Sequence, residues 1–100
     1  MADPSPRDYE LMVVITPEMP EDAVPAFLER IGGWITDRGG EVQKLNPWGK
    51  RRLAYPIKHH KDAYYAVYTF KAPPSAIADL ENSLRISEDI LRHIIVKLDE

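Results

Sequence analysis

Lys50, Arg51, Arg52, Lys58 and Lys61 fall in a window, residues 46–61, that contains no acidic residue. The window carries five positive charges on a chain whose formal net charge is −3. Cations gathered in this way on an otherwise acidic chain form a local electrostatic footprint of the kind that holds phosphate backbones. Arg presents a planar fork that grips phosphate through two hydrogen bonds, and Lys acts as a point charge. Trp48 and Tyr55 stand among these cations and offer flat faces on which a base or ribose can stack. The same residues suit a second purpose. Edge strands carry Lys and Arg to block edge-to-edge aggregation, and Trp48 can fill the gap left by a break in a strand. At the level of these residues both readings are open.

Other chemistry finds little support. The chain has no cysteine, which excludes disulfides and thiolate metal sites. His59 and His60 are adjacent, so in an extended segment they point to opposite faces, and no third ligand lies nearby. They read as part of a solvated turn, and His93 as a partly buried structural histidine. An acyl-phosphate hydrolase would need a loop rich in backbone N–H donors. The candidate loop, residues 16–22, holds Pro17, Pro20, Glu18, Glu21 and Asp22, so it loses donors and repels phosphate. The chain reads as a non-enzyme without metal, cofactor or small-molecule substrate. A small-molecule sensing module would need a pocket between loops, and no motif marks one. An acidic balance overall, with a pI near 5.6, argues against non-specific coating of DNA.

The elements that must carry the cationic window follow from periodicity. Tyr9, Leu11, Val13 and Ile15 alternate and predict a strand facing a core, with Met12 and Val14 giving the opposite face apolar character. Val24, Phe27, Leu28, Ile31 and Ile35 form the stripe of a helix over residues 21–38, with Pro25 in its first turn and Gly39–Gly40 as its C-cap. Gly32–Gly33 predicts a close approach of that helix to the sheet. A second strand starts at residues 41–45 with Val42 and Leu45 as its apolar residues. It is interrupted by a bulge or kink at residues 46–49 and resumes over 51–57. From a bulge, Lys50, Arg51 and Arg52 are expected to project together. Residues 58–62 read as a polar turn, and residues 63–71 as a strand rich in aromatic and β-branched side chains. Ser75 is the expected N-cap of a second helix striped by Ile77, Leu80 and Leu84. Residues 90–98 read as a last strand.

This β-α-β-β-α-β order is the split βαβ arrangement, an α+β sandwich in which two helices cover one face of a four-stranded antiparallel sheet. The first and third strands are central and the second is an edge. The other face carries no helix, so Met12, Val14, Ile94, Val96 and Leu98 are expected on it, either as a contact surface or as scattered exposed apolar residues. One hundred residues fit one domain, here 7–100, after a polar, proline-rich lead over residues 1–6. That lead lacks the charge and apolar run of a signal peptide, and no apolar run reaches the ~20 residues of a membrane span. The expected location is cytoplasmic and not at a membrane.

The run Trp48-Gly49-Lys50-Arg51-Arg52-Leu53-Ala54-Tyr55-Pro56-Ile57 resembles the W-G-[RK]-R-[RQ]-L-A-Y-P-I signature of the bacterial small-subunit ribosomal protein S six family. Arg7-Asp8-Tyr9-Glu10 resembles that family's opening. The stretches at Asp62-Ala63-Tyr64-Tyr65, Lys71-Ala72-Pro73 and residues 91–97 also match, so the likeness covers about residues 7–98. The resemblance implies a ferredoxin-like fold and a structural, ribosome-associated role. The family binds the central domain of 16S ribosomal RNA together with ribosomal protein S eighteen, as a heterodimer. Basic positions carried over from the pattern are Arg7, Lys50, Arg51, Arg52, Arg92 and Lys97, to which the residue reading adds Trp48 and Tyr55 as stacking candidates. A cationic partner lowers the charge this chain must supply. The long acidic tail of some members does not follow Lys97. The alternative is a free-standing RNA-recognition-motif-like module that binds single-stranded RNA. It requires aromatics on the open face of the first and third strands, where this chain has no clean aromatic in the first strand and Val67 in the third.

Overall fold

The computed structural model describes residues 5–98, so residues 1–4 of the expected lead lie outside the described residues. The elements are β1 (Arg7–Ile15), a 3-10 turn (Glu21–Ala23), α1 (Val24–Asp37), β2 (Glu41–Ile57), β3 (His60–Ala72), α2 (Ala76–Ile86) and β4 (Ile90–Lys97). The sheet runs β2-β3-β1-β4, and every neighbouring pair is antiparallel. This is the ferredoxin-like α+β arrangement that the periodicity predicts, with β1 and β3 central and β2 at an edge.

Alternation builds the core. Tyr9, Leu11, Val13 and Ile15 of β1 and Tyr64, Ala66, Tyr68 and Phe70 of β3 turn to one face, where Phe27, Leu28, Ile31 and Ile35 of α1 and Leu80 and Leu84 of α2 cover them. Removing these side chains from water is the main source of stability. Tyr68 is fully buried, and its hydroxyl donates to the Leu28 carbonyl at 2.6 Å, which pins α1 to the sheet. Helix α1 begins at Val24, so Pro25 does sit in its first turn, where a missing N–H costs nothing. At its other end Gly39 adopts φ +81°. The Gly39 and Gly40 amides donate to the Thr36 and Ile35 carbonyls at 3.1 and 3.0 Å, forming a Schellman cap.

Three local expectations are corrected. Gly32 and Gly33 do not mark a tight approach. A Cβ on Gly32 would meet Val42 only at 3.9 Å, and one on Gly33 would meet nothing within 4 Å. Ser75 stands before α2 but makes no side-chain cap bond. Its backbone is already helical (φ −67°, ψ −17°), which points the hydroxyl away from the orphan amides, and the Pro73 and Pro74 carbonyls take the Ala76 and Ile77 amides instead. The polar turn is not five residues long. Ile57 pairs with His60, which leaves only Lys58 and His59 between β2 and β3, both with positive φ (50° and 71°). That is the backbone of a two-residue type I′ hairpin, whose twist matches the flanking strands.

The face of the sheet away from the helices exposes Ile94, Val96 and Leu98, each 46–47% accessible. No described helix is long and apolar enough to cross a membrane.

Candidate nucleic-acid interface

Strand β2 differs in kind from the other three. None of its residues is buried, whereas β1 and β3 bury every second residue or more. Val42 is half-buried against the core, but Leu45, expected as its apolar companion, is 38% exposed. Backbone pairing with β3 and a few apolar contacts hold β2, which leaves its side chains available for other work. The strand is continuous from Glu41 to Ile57, and its predicted interruption is absorbed as register shifts.

The shift nearest the aromatic signature lies between Pro47, opposite Ala66, and Gly49, opposite Tyr65. Trp48 is therefore the extra residue of a bulge, and Gly49 at φ +80° supplies the left-handed backbone that closes it. The freed Trp48 ring stacks on Tyr65 with centroids 6.1 Å apart and planes 18° from parallel, yet it stays 42% exposed. Arg51 Nε donates to the Trp48 carbonyl at 3.2 Å and keeps its guanidinium beside the ring pair. Asn46, Pro47, Trp48, Arg51, Arg52 and Tyr65 line one shallow depression.

Beyond the bulge the ladder regains its normal pleat, so Lys50, Arg51 and Arg52 do not project together. They pair in turn with Tyr64, Ala63 and Asp62, and consecutive strand residues point to opposite faces. Lys50 lies on the helix side, with Nζ 5.6 Å from the Tyr64 ring centroid, a cation–π distance. The bulge re-aims Trp48 alone. The cations nonetheless form one patch, because β2 leaves the side chains of both its faces in water over residues 43–52. Lys50, Arg51, Arg52 and Lys61 line a second depression with Asp62. Lys50, Arg51, Arg52, Lys58 and Lys61 are all exposed, and among the described residues none of them makes an ion pair.

The third and largest of the β2–β3 register shifts follows Arg52. Between the pairs Arg52–Asp62 and Ile57–His60, residues 53–56 of β2 face the single residue Lys61 of β3. The surplus chain arches over the open sheet face. Leu53, Ala54, Tyr55 and Ile57 roof a cavity of about 240 Å³ whose floor includes Met12, Val14, Tyr65 and Ile94. Val14 is only 5% exposed although no helix covers its face. At the crown of the arch the Tyr55 hydroxyl accepts a hydrogen bond from Arg92 Nη1 at 2.9 Å.

The eight sequence-predicted residues thus divide. Trp48, Lys50, Arg51, Arg52, Tyr55 and Arg92 gather at the hairpin end. Arg7 and Lys97 lie at the other end of the sheet: Lys97 pairs with Tyr9, Arg7 with Ala72, and Arg92 with Val14. Seven strand residues separate Arg7 from Val14, about 24 Å at ~3.4 Å per residue. Tyr65 was missed as a site residue. Its signal was present, since strict alternation sends Tyr64 to the core and Tyr65 to the open face. The aromatic arrangement of an RNA-recognition motif is absent among the described residues. Tyr9, Tyr64, Tyr68 and Phe70 all face the helices, and Tyr65 is the one aromatic of β1 or β3 on the open face. No cluster of three metal-ligating side chains occurs among the described residues.

The family model described as Ribosomal protein S6 matches residues 8–97. Among similar proteins, the small ribosomal subunit protein bS6 of Desulforamulus reducens is 44% identical over 94 residues, covering 94% of this chain and 99% of that protein. That of Carboxydothermus hydrogenoformans is 43% identical over 94 residues, covering 94% and 98%. The crystal structure of 30S ribosomal protein S6 from Thermotoga maritima superposes with a TM-score of 0.89 at 30% identity, covering 94% of this chain and 89% of that one. These relatives are ribosomal proteins and not enzymes. With the signature segment on a bulged, cationic edge strand and a likeness that spans nearly its whole length, the chain belongs to the ribosomal protein S six family of the small ribosomal subunit.

Proposed function

We propose that this protein is a structural constituent of the 30S subunit that binds the central domain of 16S ribosomal RNA jointly with ribosomal protein S eighteen, in the cytoplasm. The observation that carries the RNA reading is the set of five exposed cations on the β2–β3 hairpin, none with an ion-pair partner among the described residues. Cations without ion-pair partners, gathered on a chain of net charge −3, suit the release of counterions from phosphates. Lys50, Arg51 and Arg52 contact phosphates, and Trp48 on its Tyr65 support offers the stacking surface for a base or ribose. Arg7 and Lys97 provide a second contact at the far end of the sheet. The exposed row Ile94, Val96 and Leu98 supports a protein partner, because apolar surface of that kind is commonly covered by one. A cationic partner supplies the charge this acidic chain lacks.

The test replaces Lys50, Arg51 and Arg52 together with Ala and measures RNA affinity across salt concentrations with the partner present. Each lost phosphate contact should lower the slope of log K against log salt by about 0.7–0.9. An unchanged slope would remove these residues from the interface. Without the partner, binding should be weak. Tight solitary binding to single-stranded RNA would favour a free-standing RNA-binding module.

A further inference from the structure

We propose that Arg92 and Tyr55 form a latch that holds the arch of residues 53–57 across the open sheet face, so that Arg92 is a positioning residue of the RNA interface and not a contact to RNA. This rests on the RNA reading of the β2–β3 hairpin.

Four observations carry it. The arch is surplus chain: four residues of β2 face one of β3, and the ladder does not determine where they lie. Leu53 and Ile57 at the ends of the arch are half-buried, but Tyr55 at its crown is 60% exposed, so burial does not anchor the crown. The hydrogen bond from Arg92 Nη1 to the Tyr55 hydroxyl, at 2.9 Å, joins β2 to β4, the two opposite edges of the sheet, across β3 and β1. Arg92 thus has a defined acceptor on the arch, unlike Lys50, Arg52 or Lys61 on the hairpin. Finally, the arch leaves the ladder directly after Arg52, so its position sets the direction in which the cationic segment ends. Trp48 and Arg51 are held by the Tyr65 stack and the ladder. A free arch would loosen the end of the segment at Arg52 and let Tyr55 and Arg92 swing over the same surface, and ordering them on binding would weaken affinity.

The latch is tested first on the free protein. The chain has no cysteine, so Val14→Cys places a single thiol beneath the arch. In that background Tyr55→Phe and Arg92→Met should each speed thiol labelling about fivefold, the factor expected for loss of one hydrogen bond. The double variant should label no faster than either single one. Amide exchange over residues 53–57 in the variants without the reporter gives the same reading if Val14→Cys disturbs folding. Unchanged labelling and exchange overturn the latch.

RNA binding with the partner present then separates positioning from contact. A latch predicts that Tyr55→Phe and Arg92→Met weaken binding by the same factor, about two- to fivefold, with the salt slope unchanged. If Arg92→Met lowers the slope by about 0.7–0.9 while Tyr55→Phe leaves affinity as it was, Arg92 touches phosphate and the proposal fails. If the unaltered protein does not bind RNA, the interface reading falls, and the labelling result still decides whether the latch exists.

Discussion

Individual side chains in this protein do either packing or surface work, and the tyrosines show both. Tyr68 is buried with its hydroxyl on the Leu28 carbonyl, and burial raises its pKa well above the ordinary phenol value near 10. The folded chain keeps that proton where the unfolded chain loses it. The contribution to stability is therefore complete below about pH 10 and falls as pH rises toward the folded-state value. Urea unfolding of Tyr68→Phe should show a loss of about 1 kcal/mol at pH 7 and a smaller decline than the unaltered protein between pH 9 and 11. Tyr64 and Tyr65, adjacent in sequence, divide the same two tasks: Tyr64 packs against the core with Lys50 over its ring, and Tyr65 supports Trp48. Alternation made that division legible. The partner of Tyr55 was not legible, because Arg92 is 37 residues away and the hydrogen bond needs the arch to bring them together.

Among the elements, the β2–β3 hairpin is where local geometry and function meet. Its turn places Lys58 and His59 in the left-handed region, which costs most L-residues about 1–2 kcal/mol each, less for asparagine and nothing for glycine, whose greater freedom in the unfolded chain offsets part of the gain. Lys58→Asn with His59→Gly should stabilise the protein by about 1 kcal/mol in chemical denaturation, and should leave the arch and the bulge in place. A lower stability would mean that one of these side chains makes a stabilising contact of its own. The positions of the strands and helices were readable from hydrophobic period, Pro25 and the Gly39–Gly40 cap. The sequence pattern marks Ser75 as an N-cap that it is not, because its backbone is already helical and the Pro73 and Pro74 carbonyls take the first amides. The direction of Lys50, Arg51 and Arg52 was not readable, because a bulge restores the pleat after one residue.

At the scale of the whole molecule, one core supports a long, water-exposed edge strand, β2, and the molecule measures 45 × 25 × 22 Å. Stability is concentrated on the helix side of the sheet. Phe70→Ala, at a fully buried position stacked on Tyr9, should cost about 3–5 kcal/mol, a large share of the ~5–15 kcal/mol typical of a domain this size. Denaturant midpoints would register that loss, whereas alanine at Arg51 or Arg52 should leave them within ~0.5 kcal/mol. A large shift from either arginine would show that the hairpin carries part of the fold. The sequence by itself determined the order of elements, the edge position of β2, the core stripes and the cationic window. All of these follow from period, composition and the rules of chain connection, which act locally. Only the tertiary structure decided that the cations alternate across the hairpin, that Arg7 and Lys97 stand at the opposite end of the sheet, and that residues 53–57 arch back to Arg92. Those outcomes depend on strand register, and register is set by pairing between residues far apart in the chain.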